Sequence, residues 1–325
     1  MNKIFPTLST FIIGLWIYSS PVNAEWFDGN QGIMGTNIHV EVWSNSAQQG
    51  EKAVQAVMDE MHRIDKLMSP YIESSELSQL NRLAPKSPVT VSKELFELIE
   101  LSVELSKETD GAFDITFASI GYLYNYRESQ KPDPSQISNL LEAINYKHIQ
   151  LNKAQQSVFF ANENVKIDLG GIAKGHAVDN AIDILKNRGI KHGLVTAGGD
   201  TKLLGDRLGK PWMVGIRDPR NKNKQAVVLP LVNTALSTSG DYERYFEQDG
   251  KRYHHILSPK TGQSAYAVQS VSIVGPQSTL NDALSTAVFV LGVQQGMDLL
   301  NRTPGYDGII VDNQRKLHYS NALVE

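Results

Sequence analysis

The sequence predicts an α+β protein built on a largely antiparallel sheet flanked by helices. Strand-like runs follow one another through the second half of the chain with Gly, Pro and Asn turns between them, and only a few helical patterns are interposed. No solenoid-length repeat or low-complexity tract offers another architecture. The chain has 325 residues, 41% hydrophobic and 20% charged, which suffices for one large core.

The first residues, "MNKIFPTLSTFIIGLWIYSSPVNAEW", combine a short basic start, an apolar stretch from Phe11 to Tyr18, Pro21 and small residues before Glu25. They predict a secretory signal peptide over residues 1–24, cleaved after Ala24, followed by one domain over 25–325. The apolar run is short for a span, and no later segment reads as the roughly 20 apolar residues a membrane helix needs. "TNIHVEVW" alternates as a half-buried strand does. Val54, Val57, Met61, Ile64 and Met68, three and four apart, predict a helix. "SPYIESSELSQLNRLAPKSPVTVS" reads as loop, and a second amphipathic helix follows over Lys93–Thr109, ended by Asp110 and Gly111. After the polar "RESQKPDPSQISN" come short strands at His148–Gln150, Ser157–Phe160 and Val165–Ile167. A helix over Ala173–Asn187 is stopped by Gly189. Strands recur at "HGLVTAGG", "WMVGIRDP", "AVVLPLVNTALSTSG", "HHILSP" and "VQSVSIVG"; a last helix covers Leu280–Leu291 and "GYDGIIVD" closes the fold.

A formal charge of −4, with Lys and Arg scattered, gives no basic stripe for nucleic-acid phosphates. There is no cysteine, which excludes disulfides, thiolate metal sites, a cysteine nucleophile and a lipid-modified cysteine after the leader.

Three motifs can carry chemistry. In "DLGGIAKGHAVDNAID", Gly170 and Gly175 have the P-loop separation, but His176 stands where Lys should follow, and no GxGxxG marks a dinucleotide turn. What remains is Asp168, a glycine turn, Lys174 and a helix N-terminus, either an anion cradle or a tight turn with a solvated lysine. "NDALSTAVFVLG" puts Asp282, Ser285 and Thr286 at i, i+3 and i+4. These are three hard oxygen donors suited to Mg²⁺, or else an N-cap Asp with back-bonding hydroxyls. An exposed loop carbonyl such as that of Gly171 can add a ligand. "RYHHILSPKTG" carries adjacent His254 and His255, of which only one can face a given site if the segment is a strand; a neutral imidazole there suits a general base.

In this order the motifs resemble the FAD:protein FMN transferase (ApbE) family, as do "GIMGTNIHVEV", "MSPYIESSELSQLN", "TDGAFDIT", "VTAGGD" and "STSGDYERYF", across nearly the whole mature chain. The resemblance implies an ApbE-like, T-fold-related core with the FAD site between sub-domains. It implies that FAD is cleaved, its FMN joined through a phosphoester to a Ser or Thr of an acceptor flavoprotein, and AMP released. By similarity, Met34, Tyr71, Ala112, Phe113, Asp114, Asp168, Lys174 and Ile256 hold FAD, with Tyr71 stacking on one of its rings. Gly171, Asp282, Ser285 and Thr286 hold Mg²⁺. His255, which precedes the aliphatic Ile256, is the candidate base. Ser258 stands where relatives commonly carry Asp or Asn, which puts the orientation of His255 at issue. Expected partners are FAD and an exported or membrane-bound acceptor with a Ser/Thr motif, not nucleic acid; the expected location is the periplasm. Hydrolysis of FAD to FMN and AMP, and flavin storage without chemistry, are the competing readings.

Overall fold

The computed structural model describes residues 24–323. Its frame is an eight-stranded sheet of β1 (Glu25–Ile33), β2 (Thr36–Ser44), β3 (Gly193–Ala197), β4 (Asp200–Leu204), β5 (Ala235–Gly240), β6 (Val268–Gly275), β7 (Asp307–Asp312) and β8 (Leu317–Tyr319). Their lateral order is their order along the chain, and each neighbouring pair is antiparallel. The expected sheet class is therefore what the chain adopts.

Between β2 and β3 the chain makes a long excursion carrying helices α1 (Ala47–Met68), α2 (Glu76–Leu83), α3 (Lys93–Glu108) and α4 (Ala173–Asn187); α5 (Ser278–Asn301) joins β6 to β7. Helices α1, α4 and α5 cover one face of the sheet. The stripe Ala53, Val57, Met61, Ile64 and Met68 buries α1 against the alternate residues Ile38, Val40 and Val42 of β2, all fully or almost fully buried. On the opposite face a hairpin of Trp212–Asp218 and Asn221–Leu231 closes a smaller cluster around Ile216, Leu236 and Ile309.

Several local expectations are corrected. The segment after α1 read as loop, yet Ser75 caps α2 through the Ser78 N–H, and Leu77 and Leu80 are buried. Pro134–Leu140 is a short helix inside the polar passage, started by an Asp133–Gln136 capping box. Strand β1 lies in a stretch for which the sequence predicted no element. Its Gly29 is required by packing, since a Cβ there would lie 2.6 Å from Val54 Cγ1. Val165–Ile167 forms no strand: the Asn81 amide receives the Ile167 N–H at 2.8 Å and donates to its carbonyl at 2.9 Å, replacing a neighbouring strand. The histidine segment is two strands, Lys251–His254 and Leu257–Ser258, separated at His255 and Ile256.

Helix α5 begins at Ser278 and is broken at Gly292 (φ 78°), one residue past the expected end, before continuing to Asn301. By length and composition it is apolar enough to cross a membrane, contrary to the sequence reading. Its apolarity has a structural use, since Ala283, Leu284, Ala287, Val288 and Phe289 are core residues packed on the sheet. The leader expected at the N-terminus lies outside the described residues, apart from Ala24.

Candidate active site

The glycine turn follows the segment pinned by Asn81. Asp168 Oδ1 accepts the Gly170 N–H at 2.6 Å, and α4 then starts at Ala173. From its first turn Lys174 reaches inward, with Nζ 3.0 Å from the Gly170 carbonyl, 3.0 Å from Asp282 Oδ2 and 3.0 Å from Asp200 Oδ2. The neighbouring Gly175 N–H also donates to Asp282 Oδ2, at 3.2 Å. A Cβ on Gly175 would lie 2.3 Å from the Ser278 carbonyl oxygen, so α4 and α5 meet main chain to main chain.

The N-terminus of α5 has no cap of its own; Asp179 of α4 supplies one from across the interface. Its carboxylate accepts the Ser278 N–H at 3.0 Å, the Thr279 N–H at 2.9 Å and the Thr279 hydroxyl at 2.6 Å, and pairs with Lys202. The helix bearing Asp282 is thus fixed to the helix bearing Lys174.

Ser285 Oγ lies 2.7 Å from Ser239 Oγ of β5 and donates to the Asp282 carbonyl, Thr286 Oγ1 is 3.2 Å from the same Ser239, and Gly171 lies against Thr286. Asp282 and Asp200 are almost fully buried. Burial, reinforced by the charge of Asp200, pushes the Asp282 carboxyl up. Burial opposes the Lys174 ammonium, but the two carboxylates prevail and hold its pKa above the usual lysine range.

Among the described residues no three His, Asp or Glu side chains gather as a self-sufficient metal site. The donors nevertheless suit a hard divalent cation. Two buried carboxylates face one lysine, and Asp200 Oδ2 has no properly directed hydrogen-bond donor. The hydroxyls of Ser285 and Thr286 lie on the same helix as Asp282, and Mg²⁺ takes such oxygen donors together with water and phosphate oxygens.

The two histidines separate cleanly. His254 is 1% exposed, its Nε2 2.7 Å from the Ala265 carbonyl and its ring edge-on to Tyr266 and Phe289. His255 is half-buried, with Nδ1 unpartnered, and Arg244 and Lys174 both act on it. Burial first, and then those cations, push its pKa down to about 3, so it is a neutral imidazole at neutral pH. The turn after it closes on the Ser258 carbonyl, which accepts the N–H groups of Thr261 and Gly262. These bonds need no particular side chain at residue 258.

Met34 and Gly35, both at positive φ, form the two-residue turn between β1 and β2, where the Gly35 carbonyl faces Arg244 Nη2 at 3.4 Å. Tyr71 is 78% exposed, with its ring free, and near Tyr122, whose hydroxyl donates to the Ile167 carbonyl. The side chains of Ala112, Phe113, Asp114 and Ile256 are buried. Phe113 underlies the glycine turn, 3.4 Å from where a Gly171 Cβ would be. Asp114 is turned inward: Oδ1 accepts from the Thr116 N–H and hydroxyl and Oδ2 from the Tyr146 N–H, so its carboxylate braces the floor. Asp200, Ser239, Asp179 and Arg244 were missed as individuals; the first, second and last lay inside "VTAGGD" and "STSGDYERYF", but no local spacing tied them to Lys174.

Comparison with known proteins shows the family and the fold. The sequence model of the ApbE family matches residues 34–310. A Treponema pallidum protein named FAD:protein FMN transferase is 33% identical over 90% of this chain and 86% of its own length. A Klebsiella pneumoniae protein of the same name is 30% identical over 88% of this chain and 89% of its own. Among solved structures, the ApbE protein of Thermotoga maritima superposes with TM-score 0.85 at 33% identity, covering 92% of this chain and 98% of that one. The apo form of Pseudomonas stutzeri flavinyl transferase ApbE gives TM-score 0.79 at 30% identity, over 93% and 96%.

Proposed function

Because this chain belongs to the ApbE family, we propose that it is an FAD:protein FMN transferase, using Mg²⁺ and acting on exported or membrane-bound flavoproteins. The observation that carries the reading is the joining of Lys174, Asp200, Asp282 and the glycine turn beside a neutral, half-buried His255. Storage of flavin has no use for such a base next to a lysine–carboxylate cluster.

In the proposed reaction the acceptor hydroxyl oxygen attacks the FMN-side phosphorus of the FAD diphosphate. Its proton passes to His255, the bond from phosphorus to the bridging oxygen breaks, and AMP leaves. Asp282, with Asp200, Ser285, Thr286 and the Gly171 carbonyl, would hold Mg²⁺, which when bound neutralises charge on the phosphoryl oxygens. Lys174 keeps its proton throughout and orients Asp282. Tyr71 stacks on an FAD ring, Met34 borders it, and the backbone around Ala112 to Asp114 forms its floor with Asp168 and Ile256. The basic, apolar and small-residue pattern of residues 1–24 supports export to the periplasm.

The test is mass spectrometry of a small acceptor domain bearing a Ser/Thr flavinylation motif, incubated with the protein, FAD and Mg²⁺. A gain of FMN mass that a chelator abolishes supports the proposal. AMP release with no gain replaces it with FAD hydrolysis, and neither product with storage.

A further inference from the structure

Lys174 and Arg244 are the two cations whose charge acts on both Asp168 and His255. They differ in how their charge is spent. Lys174 lies between two carboxylates, Asp200 and Asp282, each 3.0 Å away. Arg244 has no carboxylate within ion-pair distance among the described residues; it is exposed, and its one side-chain hydrogen bond goes to the neutral Gly35 carbonyl. Its neighbour Glu243 is turned to Arg217 instead.

Lys174 is therefore committed to the carboxylates of Asp200 and Asp282. A diphosphate bears more charge than one carboxylate-bound metal ion offsets, so a free cation at the rim is needed to meet the rest. Arg244 is placed to do so. Its main chain is tied to the histidine segment, since the Arg244 carbonyl accepts the His255 N–H at 3.1 Å, and its guanidinium is tied to the Met34–Gly35 turn. The planar guanidinium also suits phosphate oxygens, which it can engage with two parallel N–H groups.

Resting on the transferase reading, we propose that Arg244 is a substrate-binding residue that grips the diphosphate of FAD from the rim of the site and selects for the diphosphate-bearing flavin.

The test measures binding of FAD, ADP and riboflavin to the full chain and to Arg244→Gln and Arg244→Lys, in chelator and with Mg²⁺, with circular dichroism as the folding control. Loss of a charged hydrogen bond at an exposed residue is expected to weaken FAD and ADP by about tenfold or more while leaving riboflavin unchanged. Arg244→Lys should recover part of the loss, and added salt should weaken the wild type more than Arg244→Gln. Unchanged FAD affinity in Arg244→Gln overturns the assignment. Equal weakening of FAD and riboflavin also overturns it, because that is the signature of a disturbed Met34–Gly35 turn. A wild-type chain that binds no FAD overturns the transferase reading itself.

Discussion

Replacing Asp282 by Asn is expected to make the metal-free protein more stable and inactive at once. From the sequence, Asp282 read as a metal donor or an N-cap residue. In the fold it is 4% exposed and shares Lys174 with Asp200, so two buried negative charges rest on one positive charge. Burial and the charge of Asp200 raise its pKa in the folded state. A raised acid pKa means that the group's favourable contribution is whole below the unfolded pKa of about 4 and is lost as pH rises through the folded value. At pH 8 without metal the ionised carboxylate therefore works against folding. Asn keeps an oxygen to accept from the Gly175 N–H and Lys174, and leaves Lys174–Asp200 as a balanced pair. The expected gain is about 1–2 kcal/mol, set by relief of one buried uncompensated charge, or about 2–3 °C in melting temperature for a chain of this size. Mg²⁺ at about 100 times its dissociation constant should add about 2.7 kcal/mol to the wild type by mass action and nothing to the variant. Thermal unfolding in chelator and in Mg²⁺, with the FMN-transfer assay, checks all three effects. A variant less stable than wild type in chelator, or one as responsive to Mg²⁺, refutes the charge accounting.

His255→Ala should leave stability unchanged and slow transfer by about 10²-fold or more. His254→Ala should instead cost about 2–3 kcal/mol of stability through lost packing on Phe289 and Tyr266; equal activity losses with unchanged stability in both would refute the division. Burial pushes the His254 pKa down to about 4, so the stability it contributes is whole above about pH 6.5 and falls by about 3 kcal/mol as pH drops through the folded value. Denaturant melts at pH 7 and 4 should show that decline, reduced in His254→Ala. Asp179→Ala strips the cap from α5 and unpairs Lys202, an expected loss of about 2–4 kcal/mol; a melting temperature within a degree of wild type contradicts it. Gly175→Ala should separate α4 from α5, with an expected cost of about 1–3 kcal/mol and a loss of Mg²⁺ response; normal Mg²⁺ binding would mean that the contact does not govern the site.

The site was legible in the sequence where its chemistry is local. Asp282, Ser285 and Thr286 share a helix face by spacing alone, and the Asp168–Lys174 turn announces a strand-like end, a bend and a helix start. Asp200, Ser239 and Arg244 come from other strands and loops, so only the assembled sheet brings them to the site. The same division explains the fold. Sequential antiparallel strands were readable from alternation and turns, whereas α2 hid among turn-forming residues and β1 behind its glycines. Val165–Ile167 has the composition of a strand, but its hydrogen-bonding partner is the side chain of Asn81, eighty-six positions away, which no local pattern reports. Ala112 to Asp114 adjoin the site as its buried floor, a distinction visible only once Asp114 is seen bonded to Thr116 and Tyr146.

The contact of Gly175 with Ser278 has a mechanical consequence. Where two helices touch through main-chain atoms, with no side chain between them to change rotamer, their separation cannot yield to a ligand without breaking the contact. Lys174 and Asp282 therefore form a stiff back wall whose spacing is inherited from the backbone. Adjustment to substrates of different shape falls to the opposite side, where Tyr71 and Arg244 are solvent-exposed and Met34 rides on a two-residue turn. In the proposed reaction, the stiff side would hold the reacting phosphate in fixed register while the exposed side conforms to the polypeptide that brings the hydroxyl.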